Sequence, residues 1–94
     1  LNQSTTDSSV MKVNNIIVAN TTASSANITI AFRTASGGGG TKVLLANATP
    51  VAAYSTLVVL DKASAIYLEE NKSLTAESSA SNAFDVVASY EKIL

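Results

Sequence analysis

The chain has 94 residues, room for one domain with one modest core, and it contains neither cysteine nor histidine. Disulfides, thiolate or imidazole metal sites and the commonest general base near neutral pH are therefore excluded. Six Lys/Arg stand against seven Asp/Glu for a net charge of −1, and the charges are too scattered to make the basic face that nucleic acid requires.

The opening LNQSTTDSSV is polar and without periodicity, and it lacks the apolar core of a signal peptide. It reads as a flexible arm over residues 1–10, followed by a single domain over 11–94. No apolar run approaches the roughly 20 residues that span a bilayer, so no membrane partner is expected. From Met11 the chain breaks into short segments separated by turn residues every eight to twelve positions, the rhythm of a sandwich or barrel. MKVNNIIVA is the first predicted strand, apolar on both faces towards its end. After the turn TTASSA, ANITIAFR alternates cleanly, with Ile28, Ile30 and Phe32 on one face and Asn27, Thr29, Ala31 and Arg33 on the other. Strict period two marks a half-buried strand.

All four glycines follow, as GGGGTK. A phosphate-binding loop needs Lys before Ser/Thr and a helix behind it. Here Thr41 precedes Lys42 and KVLLA continues as a strand. The glycines therefore predict a mobile hinge between two strands, where residues without Cβ take positive φ at no steric cost. TKVLLAN is the third strand, and Pro50 in ATPVAAYS marks a loop because proline cannot donate to a ladder. STLVVLD and SAIYLEE follow, joined by DKAS; EENK is a tight turn; KSLTAES alternates again; SSASNA loops; FDVVASYEKIL closes the chain. The competing helical reading falls on LDKASAIYLEENKSLTAESSASNAF, but Asn71, the serine cluster and the alternation of Leu74 to Ala76 interrupt a 3.6-residue period.

With 47% apolar and 14% charged residues, rich in β-branched and small polar types, the pattern predicts an all-β fold. The architecture expected is an antiparallel β-sandwich of seven to eight short strands. Its predicted core is Ile17, Ile28, Ile30, Phe32, Val43, Leu45, Leu57, Val59, Ile66, Leu68, Leu74, Phe84, Val86 and Ala88. The apolar residues on the opposite faces, Ile16, Val18, Leu44, Val58 and Val87, are assigned to a second sheet's core or to a subunit interface. Tyr54, Tyr67 and Tyr90 join them as interface candidates. The aromatics lie in separate segments and form no stacking row for single-stranded nucleic acid.

No catalytic, cofactor or metal residue is predicted. Glu69 and Glu70 fall in a turn, and Glu77, Asp85 and Glu91 fall on polar strand faces. None forms the pair across a cleft that glycoside hydrolysis needs. Calcium at the LEEN turn with Asp85 fits no loop signature. Serines are plentiful but have no histidine to activate them. The five Asn-x-Ser/Thr sequons, at Asn2, Asn20, Asn27, Asn47 and Asn71, are read as turn chemistry rather than glycan sites.

Two segments, VNNIIVANTTASSANITIAF and STLVVLDKASAIYLEENKSLTAESSASNAFDVVASYEKI, share a grammar of strand, Ser/Thr or acidic turn, and alternating strand. Over Val13 to Ile93 the chain resembles the small β-sandwich virion proteins of tailed bacteriophages, cyanophage proteins included. Turns that often read acidic-Gly-Asp in that family read Glu70-Asn71-Lys72 here, and asparagine also takes the left-handed conformation. The resemblance implies a non-enzymatic structural role in the virion. The role implied is a capsid decoration or cement protein, or a neck or tail accessory protein. Its partners would be other virion proteins, such as the major capsid protein, and its own copies. The alternative is a tail or fibre module that binds a receptor or carbohydrate.

Overall fold

The computed structural model describes residues 10–60 and 66–93. Residues 1–9 of the arm expected over 1–10 and the DKAS connection, Asp61 included, lie outside the described residues. Seven strands follow one another: β1 (Val10–Asn20), β2 (Ala26–Arg33), β3 (Lys42–Val51), β4 (Thr56–Leu60), β5 (Ile66–Leu68), β6 (Ser73–Ser78) and β7 (Phe84–Ile93). Among its described residues, the stretch with helical composition contains the strands β5 and β6 and no helix. Val10, placed in the arm from sequence, already belongs to β1 and pairs with Ile93.

The strands make the predicted antiparallel β-sandwich. One sheet has the order β3-β2-β6. The other is built on β1, which pairs along its full length with β7. On its other edge β1 pairs first with β5, over Met11–Val13, and then with β4, over Ile16–Ala19. Ile28, Leu68, Val13 and Val18 are the largest fully buried apolar side chains and lie between the layers.

β1 departs from simple alternation for a clear reason. Val13 faces Tyr90 and Asn15 faces Ser89, so Asn14 is an extra residue on the β1 side of the ladder. Such a bulge reverses the side-chain phase behind it. Met11 and Val13 point inward before it; Ile16, Val18 and Asn20 point inward after it. The assignment of Ile17 to the core, with Ile16 and Val18 opposite, is therefore inverted. Ile16 and Val18 are 2% and 0% exposed, and Ile17 lies half-buried on the outer face.

β2 keeps its predicted phase, with Ile28 and Ile30 buried and Phe32 packed against them. β3 does not. It is an edge strand, and its register against β2 slips between Ile28 and Ile30 and again between Ile30 and Ala31. Val43 and Leu45, expected in the core, are 49% and 37% exposed. The second slip places Leu45 as an extra residue, and no strand covers the outer edge of β3 among the described residues. Pro50, expected in a loop, stands in β3 opposite Asn27. An edge strand tolerates it because its missing N–H costs no ladder bond. Val86 is the fourth core assignment to fail: it faces inward beside Val18 but remains exposed.

The glycine segment joins β2 to β3, as predicted, yet it is tied down rather than loose. Thr41 N donates to Thr34 Oγ1 at 2.7 Å and Gly38 N to Ser73 Oγ at 3.2 Å. Ser73 Oγ donates to Ala35 O at 2.7 Å, and Ser36 N donates to Asn71 Oδ1 at 3.0 Å. The loop thus lies over the start of β6, and Ser73 is buried beneath it. Gly40, at φ +69°, has no room for a Cβ: the atom would collide with Thr34 Oγ1 and come within 2.8 Å of Ala35 N.

Candidate interaction surfaces

Three features remain on the outside of the sandwich once its core is assigned. The first is the outer face of the β1 sheet. Val58 of β4 and Val87 of β7 flank Ile17 in register, forming an apolar row across three strands. Val58 and Val87 are 57% and 59% exposed. Further along the face, Tyr67 and Glu91 flank Lys12 in the same way. Apolar residues concentrated on a strand face beyond the core's needs mark a contact surface.

The second feature is the free margin of β3, where Val43, Leu44 and Leu45 are consecutive and all exposed. Lys42 precedes them and is also exposed. The third is the seam between β6 and β7 on the opposite side of the molecule. A cleft of about 110 Å³ opens there between the sheets, with Ile16 and Ile30 at its base and Ala76, Val86 and Ala88 at its mouth. A second hollow of about 250 Å³ continues past Ala76 and Val86 to Asn82 and Phe84. Both fall below the roughly 300 Å³ at which small-molecule sites usually begin.

The interface candidates divide accordingly. Ile16 and Val18 are core and unavailable to a partner. Val58 and Val87 come together on one face, with Tyr67 and Lys12 further along it. Leu44 sits apart, on the other sheet. Tyr54 lies in the β3–β4 loop at φ 54° and is 73% exposed, held by its N–H to Thr22 O at 3.2 Å. Tyr90 pairs with Val13 on the inward side of β7, whereas Tyr67 pairs with Lys12. The three tyrosines therefore share no face.

The carboxylates are dispersed. Glu77 meets Arg33 at 3.4 Å on the surface, and Glu91 accepts a hydrogen bond from Asn14 Nδ2 at 3.1 Å. Among the described residues no group of three or more Asp, Glu, His or Cys is placed to hold a metal ion. No described helix is long and apolar enough to cross a membrane.

The sequons differ in what their asparagines do. Asn20 is 2% exposed and Asn71 holds the glycine loop, while Asn27 and Asn47 are exposed. Sequence reasoning missed both Asn20 as an organising residue and the β6–β7 seam. Asn20 reads as an ordinary turn asparagine. The seam's trace is the small Ala76 at an inward position of a strand otherwise lined by Leu74.

Comparison with protein families, with characterised proteins and with solved structures finds no match to the chain.

Proposed function

We propose that the protein is a non-enzymatic structural component of a tailed-phage virion, a decoration or cement protein that binds the capsid shell and its own copies. The observation that carries this reading is the apolar row Val58–Ile17–Val87, set on an outer face whose charged residues, Asp85, Lys12 and Glu91, stand outside the row. A row of this kind gains free energy only when another surface covers it, at roughly 25 cal/mol per Å² of apolar area removed from water. The sequence grammar of Val13 to Ile93 supplies the second support, by resemblance to phage virion modules. The test is co-sedimentation of the purified chain with purified phage capsids that lack it. Binding that saturates at a fixed ratio to the shell subunit, and that is lost in Val87→Asp, is expected. No binding at saturating protein concentration would overturn the reading.

A tail or fibre module binding carbohydrate is the second reading. A shallow polar hollow lined by Asn27, Thr29, Ser78 and Ser79 favours it, because hydroxyl and amide groups match sugar hydroxyls. A glycan array with no response at high protein concentration would remove it.

A further inference from the structure

We infer that copies of this chain join side by side, the Lys42–Leu45 edge of one copy adding to the β6 edge of the next and closing its open seam. This rests on the proposed self-association and names the surfaces that perform it. The two lateral margins of the sandwich are opposite in form. On one, Val43 faces the inner side in register with Phe32 and Leu74, yet stands exposed. On the other, the inward-facing Ala76 and Val86 stand exposed because the gap between β6 and β7 is unfilled. One margin offers an uncovered apolar strand; the other lacks one.

Topology sets the geometry of the join. β3 and β6 both run antiparallel to β2, so they are parallel to each other. A neighbour displaced sideways, without inversion, lays its β3 parallel to β6 with the same face inward. Only that arrangement turns Val43 towards the seam. An edge-to-edge join by a two-fold axis pairs β3 with β3, or β6 with β6, and leaves every seam open.

Sterics and charge choose the register. In direct continuation of the sheet, Val43 of the neighbour would fall beside Leu74, which is already buried. A shift of two residues sets it beside Ala76, at the mouth of the cleft. The same shift brings Lys42, which shares its face with Arg33, one strand step from the exposed carboxylate of Glu77. Glu77 is 57% exposed and holds Arg33 only at 3.4 Å, leaving oxygen lone pairs for a second cation. Head-to-tail contacts of this kind close into rings or run on as filaments.

The absence of native cysteine makes the test direct. Val43→Cys and Ala76→Cys are made singly and together, and oxidised in air after circular dichroism has shown them folded. A mixture of the two single variants should give a covalent dimer containing one of each, and the double variant a ladder of multimers. Val43→Cys with Glu77→Cys should give no such ladder, because those side chains point to opposite faces. Lys42→Glu should weaken association about tenfold, and adding Glu77→Lys should restore it. Dimers of Val43→Cys alone would overturn the inference in favour of a two-fold join. A chain that binds capsids but gives no mixed cross-link would overturn it while leaving the proposed function standing. A chain that neither self-associates nor binds capsids would overturn both.

Discussion

Asn20 Nδ2 donates to the carbonyl of Val51, 31 residues away, at 3.0 Å, and so fastens the end of β1 to the end of β3. The same amide donates to Ser24 O at 2.9 Å, and its Oδ1 accepts from Thr22 N at 2.9 Å and Thr22 Oγ1 at 2.7 Å. Every polar capacity of a 2%-exposed side chain is thereby used. Removing it strands the carbonyl of Val51 without that donor. Asn20→Ala should cost about 2–4 kcal/mol. Asn20→Asp should cost no less, because it replaces two donors with buried charge facing two carbonyls. Urea unfolding of the three proteins checks this; equal midpoints would refute the account.

The glycine run offers a comparison within four residues. Gly40→Ala must displace Thr34 Oγ1, the acceptor that closes the loop, and should cost at least about 3 kcal/mol. Gly37→Ala has the same φ of +69° but open space around it, so only the left-handed strain of about 1 kcal/mol remains. Gly39, whose φ is negative, meets nothing nearer than 3.4 Å. Its alanine variant should be neutral within about 0.5 kcal/mol. Thermal melts of the three variants give the order, and a shared melting temperature would mean that the loop is unpinned.

The fold class was legible because β2 and β6 alternate, and β7 does so but for the apolar Val87, and a period of two has few other meanings. Ile28, Ile30 and Leu74 were placed correctly by that rule alone. It failed wherever a residue was inserted into a ladder. Nothing in VNNIIVA tells which of two adjacent asparagines is the extra one, so every assignment beyond it was inverted. The same holds for Leu45, where a slip against β2 cancels the alternation. Edge position is equally silent in a single strand: Val43 and Val86 look like core residues and are exposed because of which strand lies beside them. The exposed row Val58–Ile17–Val87 was two-thirds visible in sequence, since Val58 and Val87 oppose predicted core positions. Its centre was hidden by the bulge.

That bulge is itself a prediction. Deleting Asn14 alone removes the extra residue and leaves Ile16 and Val18 inward, whereas deleting Asn14 and Asn15 together shifts the phase by one, turning Ile16 and Val18 outward while Ile17 and Ala19 turn in. The large core side chains at 16 and 18 would be lost to solvent, each worth about 1.5–3 kcal/mol of burial. A domain of this size has a total stability of only about 5–15 kcal/mol. The double deletion should therefore abolish cooperative unfolding, whereas deletion of Asn14 alone should retain it. Asn14→Ala, which keeps the residue count, should retain it. A double-deletion variant with a sharp thermal transition would show that the phase of β1 is not what positions the core.

Val18 and Val58 are both valines of adjacent, paired strands, and they separate stability from association. Val18 is fully buried, so Val18→Ser loses its packing and buries an unpartnered hydroxyl, at about 3 kcal/mol. Val58 is 57% exposed, and Val58→Ser should leave the unfolding midpoint unchanged within about 0.5 kcal/mol.

Under the proposed capsid binding, the order of the two valine effects should reverse. Val58→Ser removes a side chain from the row that a partner surface would cover, so it should weaken capsid binding about tenfold, as 1–1.5 kcal/mol of lost burial requires. Val18→Ser, at temperatures where it remains folded, should bind as the parent does, since its side chain never reaches the surface. Denaturation curves and capsid co-sedimentation of both variants provide the measurements. A Val58→Ser protein that binds capsids with undiminished affinity would take the β1 sheet's outer face out of the contact.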